Sequence, residues 1–260
     1  MNGHDRPNKP ALLVVGHGTR HPRGRSQFME IIQSARQRLP DTVVRHACLE
    51  QSPPNVVTAL RELAQNGVDR VVLVPLLLFE SGHWRSDLPA LMDQARRHHS
   101  NLRVARTRAL ATHPQIAQLA AARIAQTGGR IMPTPEQTLL LVVGRGSVGG
   151  QTDPACRDLG RRIAGILCID ALEVAFMGMS QPLLPDVLEK IGTKPFQWVY
   201  VSPLLLFDGE LVDRLYRTIR EQEIRSVRQR FYVGAPLGTD STLVDAVLDR
   251  YRKVYESRAR

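Results

Sequence analysis

At 260 residues, with 43% hydrophobic and 23% charged residues, the chain is long enough for two compact lobes and ordinary in composition, which excludes wholesale disorder. Its net charge of +10, from 35 Lys and Arg against 25 Asp and Glu, favours an anionic partner, but the arginines are scattered through nearly all the predicted helices with no sustained basic run, so nucleic acid is not expected. Three cysteines (Cys48, Cys156 and Cys168) without a CxxC pair suit a reducing cytoplasm, and the polar start MNGHDRPNKP leads into an apolar run too short for a signal or membrane segment.

The apolar run Ala11–Val15 reads as the first strand, followed by Gly16-His17-Gly18-Thr19-Arg20 and a helix over 24–38. A strand over 42–49 ends in Leu49-Glu50-Gln51-Ser52-Pro53 and passes into a helix over 54–66. A strand over 69–78 leads to Phe79-Glu80-Ser81-Gly82-His83-Trp84, then come a helix over 85–98, a strand over 102–107 and a helix over 114–126. Thr127-Gly128-Gly129-Arg130 through Pro133-Thr134-Pro135 lacks periodicity and reads as a linker. Strands over 138–143, 171–176, 197–206 and 230–235 follow, alternating with helices over 154–167, 183–191, 210–222 and 240–256. This alternation is the signature of βα units and parallel sheets.

The two halves are copies. Leu12-Leu13-Val14-Val15-Gly16-His17-Gly18-Thr19 is echoed by Leu140-Leu141-Val142-Val143-Gly144-Arg145-Gly146-Ser147, and Pro75-Leu76-Leu77-Leu78-Phe79-Glu80 by Pro203-Leu204-Leu205-Leu206-Phe207-Asp208, both at an offset of 128 residues. Two α/β domains are therefore expected, at 1–127 and 137–260, each with a four-stranded parallel sheet.

All eight histidines lie at or before His113, so imidazole chemistry belongs to the first copy. A parallel sheet delivers every strand's C-terminal end to one edge, where ligands bind. His17, Glu50 and His83 each follow a different strand at that edge. Two imidazoles and a carboxylate suit a borderline divalent cation and leave coordination positions open for a substrate that takes the metal away. Each also has a plainer reading: His17 as a turn or helix cap, Glu50 as a carboxylate favoured by a helix N-terminus, His83 as a surface residue at a helix start. His21, His98 and His99 are expected to face solvent, His46 to pack within its strand, and His113 to serve a helix start. Arg20, Arg23 and Arg25 can fork onto carboxylates or simply solvate a helix start. Arg145, at the position of His17 in the second copy, cannot ligate metal but can hold an acidic ligand.

The order and spacing of Gly16-His17-Gly18-Thr19-Arg20, Leu49-Glu50 with Ser52-Pro53, and Pro75-Leu76-Leu77-Leu78 with Gly82-His83 and Asp87-Leu88-Pro89 resemble the sirohydrochlorin chelatases, the ATP-independent class II chelatases, over essentially the whole chain. The resemblance implies a chelatase fold of two flavodoxin-like lobes facing across a cleft. It also implies insertion of Co²⁺ or Fe²⁺ into sirohydrochlorin with release of two protons, in cobalamin or siroheme biosynthesis. His17, His83 and Glu50 are then the catalytic and metal-holding residues, and no permanent cofactor is needed. Arg20, Arg145, Leu78, Ser81 and Gly82 are expected to contact the polycarboxylate ring, with Trp84 either facing the ring or packing in the core. The second copy departs from the pattern: Arg145 replaces His17, Phe207-Asp208-Gly209-Glu210 offers no partner to His83, and Met179, three residues before Pro182, stands as Glu50 stands before Pro53. The alternative is a tetrapyrrole- or metal-binding carrier without turnover. A nucleotide-binding module is disfavoured, because Gly16-His17-Gly18 has no third glycine at dinucleotide spacing and there is no phosphate loop. A monomer or weak homodimer in the cytoplasm, with sirohydrochlorin and a divalent ion as its only partners, completes the expectation.

Overall fold

The computed structural model describes residues 9–50, 52–80, 82, 84, 88–128 and 134–256. The linker residues 129–133 and the expected helix start at 85–87 lie outside them.

The first repeat runs β1 (Ala11–Gly16), α1 (Pro22–Arg38), β2 (Val44–Cys48), α2 (Val56–Gln65), β3 (Arg70–Pro75), α3 (Leu88–His98), β4 (Arg103–Arg106) and α4 (Pro114–Ala125). The second runs β5 (Thr138–Gly144), α5 (Asp153–Leu167), β6 (Ala171–Phe176), α6 (Leu184–Gly192), β7 (Trp198–Pro203), α7 (Glu210–Arg225), β8 (Arg230–Val233) and α8 (Ser241–Glu256). Each forms a four-stranded all-parallel sheet, in the orders β2-β1-β3-β4 and β6-β5-β7-β8. The central strands β1 and β5 are buried along their whole length, as a parallel strand covered by helices on both faces must be. Ala11, Leu13 and Val15 pack with the apolar stripes of α2 and α3, and Leu139, Leu141 and Val143 pack with those of α6 and α7.

The apolar runs read as strands to 78 and 206 end earlier, at Pro75 and Pro203. Proline has no N–H to continue a ladder. The following N–H groups, of Leu76 and Leu204, close onto Val15 O and Val143 O at 2.8 Å, and the leucines beyond turn into loops.

Packing divides the chain into Met1–Leu110 with Leu243–Arg260, and Ala111–Thr242. These compact units differ from the expected division at 1–127 and 137–260, because each repeat's last helix belongs to the other repeat's unit. In the first unit Leu243, Val244, Val247, Leu248 and Tyr251 of α8 are buried, and the Tyr251 hydroxyl donates to Pro10 O at 2.6 Å. In the second, α4 packs on α5 and β7 and buries Ile116, Leu119 and Ile124.

Candidate metal centre

His17 and Glu50 come together because the ladder between the two strands carrying them runs past their ends. After the Gly16–Cys48 pair, Leu49 N–H donates to Gly16 O and Glu50 N–H to His17 O, each at 2.9 Å. Gly18 makes this approach sterically feasible. Its φ is +95°, and a Cβ there would lie 1.9 Å from Glu50 O. Ser52 closes the frame, with its N–H on Glu50 O at 2.7 Å and its hydroxyl on Thr19 O at 3.2 Å. His17 Nε2 then lies 3.8 Å from Glu50 Oε2, with 27% and 35% of the two side chains exposed. That is too long for a direct hydrogen bond, yet it is within the roughly 4.2 Å that two metal–ligand bonds of about 2.1 Å can span.

An open groove of about 760 Å³ adjoins Glu50 and is lined by Cys48, Ser52, Asn55, Thr58 and Glu62 among others, with no lysine or arginine among its described lining residues. Asn55 caps α2, accepting the Thr58 N–H at 2.8 Å. Neither the groove nor the Ser52–Thr19 brace was anticipated from sequence. The brace had a signal in the 128-residue offset, which sets Ser180 and Ser147 against Ser52 and Thr19.

Arg20 is exposed just before α1, and Arg23 and Arg25 are exposed on its first turn, which carries no acidic residue. Leu78 is only 6% exposed and Trp84 1%, because the apolar run beyond Pro75 folds inward. Of its two readings Trp84 takes the packing one, in the core around α2 and α3. Gly82 is half-buried, and His83 and Ser81 lie outside the described residues. Among the described residues no group of three or more His, Cys, Asp and Glu is placed to hold a metal.

Two further histidines lie within the fold. His46 stands edge-on to Phe28, ring centroids 5.8 Å apart, and burial, with Arg36 and Arg45 beside it, lowers its pKa. His113 is buried at the start of α4. His21, at the start of α1, and His99 are half-buried rather than solvent-facing, while the His98 side chain lies outside what is described.

The second unit keeps the frame without the chemistry. Met177 N–H donates to Gly144 O at 2.9 Å, Ser180 N–H to Gly178 O at 2.8 Å, and Phe176 N–H to Pro182 O at 3.0 Å. The last bond matches Cys48 N–H on Pro54 O at 2.9 Å, so Pro182 corresponds to Pro54 and not to Pro53. The counterpart of Glu50 is therefore Gly178, which corrects the assignment of Met179. Gly146 repeats Gly18, its φ +86° and a Cβ there 1.9 Å from Gly178 O. Ser180 Oγ accepts the Ser147 N–H at 2.9 Å and lies 2.7 Å from Asp153 Oδ1, so hydroxyls and an N-terminal helix carboxylate fill this edge. Arg145 is exposed at the end of β5.

The model of the CbiX family matches the chain twice, over residues 11–127 and 139–254. A sirohydrochlorin cobaltochelatase of Priestia megaterium is 24% identical over 264 residues, covering 100% of this chain and 84% of the relative. A sirohydrochlorin ferrochelatase of the same organism is 23% identical over 253 residues, covering 95% and 91%. Among solved structures, SirB from Bacillus subtilis with Fe³⁺ superposes with a TM-score of 0.84 at 18% identity, covering 97% of this chain and 98% of that one.

Proposed function

The chain belongs to the CbiX family, matched over both repeats, and from that premise we propose that it is a sirohydrochlorin chelatase, inserting Co²⁺ or Fe²⁺ into the ring with release of two protons. The observation that carries this reading is the His17–Glu50 pair, held 3.8 Å apart at the edge of the first sheet by a frame the second sheet repeats without the ligands.

The chemistry follows from what insertion requires. A metal on its way to a macrocycle must be held weakly and with open coordination positions, and two pyrrole N–H groups need a proton acceptor nearby. Neutral imidazole performs either task. Glu50 balances the charge of the incoming ion and passes protons to solvent. His83 supplies the second imidazole in this proposal, with Ser81 and Gly82 beside it in sequence contacting the ring. Arg20 and Arg145 offer exposed guanidinium groups to peripheral carboxylates. Among its described lining residues the groove beside Glu50 carries two carboxylates, Glu50 and Glu62, and no cation, in a chain of net charge +10, which suits the approach of a hydrated divalent ion.

Absorbance of anaerobic sirohydrochlorin on mixing with Co²⁺, and separately Fe²⁺, tests the reading. Wild type accelerates insertion, Arg145→Ala retains turnover with a raised KM, and His17→Ala falls by about a hundredfold or more. A wild-type protein that binds the ring but adds nothing to the uncatalysed rate with either metal is a carrier, and the enzymatic reading then fails.

A further inference from the structure

The N-terminal edge of the second sheet carries a tip that metal insertion does not use. Helix α7 ends at Arg225, and Ser226-Val227-Arg228-Gln229 lead into β8 at Arg230. Val227 is 97% exposed, and Ile224, on the last turn of α7, is 78% exposed. Arg225, Arg228 and Arg230 are exposed around them, and the seven residues from Ile224 to Arg230 hold three arginines and no acid. Of the acids just before them, Glu221 is exposed about a turn back on α7, and Glu223 Oε1 accepts the Phe231 N–H at 3.3 Å.

The tip is braced, so this exposure is built into the fold. Gln229 is 2% exposed: its Nε2 donates to Ile191 O at 2.9 Å and Phe196 O at 3.2 Å, and its N–H donates to Ser226 Oγ at 3.1 Å. The Ser226 N–H closes α7 onto Gln222 O at 3.0 Å. Ser226 and Gln229 thus turn to the backbone, and Val227 and Arg228 are left facing outward. The fold itself does not require an aliphatic residue there. At the matching tip of the first sheet, between α3 and β4, Ser100 and Asn101 are exposed, His99 is half-buried and the aliphatic Leu102 is buried.

We infer that the tip between α7 and β8 docks the protein peripherally on an anionic phospholipid surface. Ile224 and Val227 enter the headgroup layer, and Arg225, Arg228 and Arg230 meet the lipid phosphates. Interfacial segments combine these two elements, aliphatic side chains that leave water and cations that neutralise headgroups. A protein interface gathers its apolar residues into a core poor in charge, whereas here each aliphatic residue stands next to an arginine. Nucleic acid would leave both aliphatic side chains in water, and the tip offers no aromatic ring on which a base could stack. The start of β8 and the end of β5 lie at opposite edges of one parallel sheet, so docking leaves the edge carrying Arg145 free. The inference is independent of the chelatase reading.

Sedimentation of the full chain with vesicles of phosphatidylcholine alone, or of phosphatidylcholine and phosphatidylserine in equal parts, tests it. Wild type is expected to bind the anionic vesicles, to release them at high salt and to ignore phosphatidylcholine alone. Replacing Arg225→Gln and Arg228→Gln together should weaken binding by about fivefold per arginine, about 25-fold for the pair. The pair Ile224→Ser and Val227→Ser, which changes no charge, should weaken it by about tenfold or more. Arg61→Gln with Arg103→Gln, exposed arginines of the first unit, removes the same charge elsewhere and should cost less than about twofold at physiological salt. Thermal midpoints, and insertion rates without vesicles, stay at the wild-type values in the tip variants. If the serine pair binds as tightly as wild type, or the control pair loses as much as the tip arginines, only net charge is at work and the inference fails. A wild type that binds neither vesicle also overturns it and leaves an acidic protein as the occupant of the tip.

Discussion

Gly18 sets how closely the two loops bearing His17 and Glu50 approach. Its φ of +95° costs an L-residue about 1–2 kcal/mol, and the added Cβ would fall on Glu50 O, a backbone atom that moves only with its loop. Gly18→Ala is therefore expected to destabilise by about 3 kcal/mol or more in urea unfolding and to weaken Co²⁺ binding along with turnover. A loss under about 1 kcal/mol with intact binding would show that the loops are not held at this point. The pairing of glycine with a close carbonyl recurs at Gly146, where no ligand remains, so the constraint belongs to the fold and the chemistry was placed upon it. Cys48 and Cys156 are buried, and burial pushes the Cys156 thiol up to about 12, with Asp153 adding to the rise.

At the scale of elements, the edge strand β6 shows how charge supports a strand open to solvent on one side. Glu173 meets Lys190 at 2.9 Å and Lys194 at 3.2 Å, from α6 and the turn after it. Burial raises its pKa, but the hydrogen bonds and charges of the two lysines outweigh this, and the net direction is down. A carboxylate whose folded pKa is depressed stabilises above its unfolded pKa and loses that contribution as pH falls through the folded one. Glu173→Gln should thus cost at most about 1 kcal/mol near neutral pH, as partly exposed pairs do, and the difference from wild type should vanish in acid below the ordinary carboxylate range. Parallel pH series of urea midpoints check this, and an unchanged difference in acid would mean that the side chain matters by packing. Strand ends were less legible than strands. Leu76, Leu77 and Leu78 continue the apolar run of β3, yet the strand ends at Pro75 and the Leu76 N–H closes its last bond onto Val15 O, since apolarity reports burial and not the extent of the ladder.

At the scale of the whole molecule, neither repeat coincides with a compact unit of packing. The first unit contains α8 from the far end of the chain, burying Leu243, Val244, Val247 and Leu248, worth about 6–12 kcal/mol at about 1.5–3 each, comparable to the whole net stability of a domain. A chain ending at Thr242 is expected to lose cooperative unfolding of the first unit in circular dichroism and to lose Co²⁺ binding with it. A sharp urea transition with undiminished m-value would show that α8 is dispensable. No described helix is long and apolar enough to cross a membrane. The duplication, the alternation of strands and helices, and His17 and Glu50 at two strand ends were all legible in the sequence, because apolar periodicity and a repeated offset are properties of the chain itself. The tertiary structure decided which helix covers which sheet, that Leu78 and Trp84 turn inward, that Gly178 and not Met179 stands for Glu50, and that Arg250 donates to Ala109 O across a long stretch of chain. Those depend on which apolar faces meet and on hydrogen bonds between distant segments, and no local pattern of residues encodes such pairings.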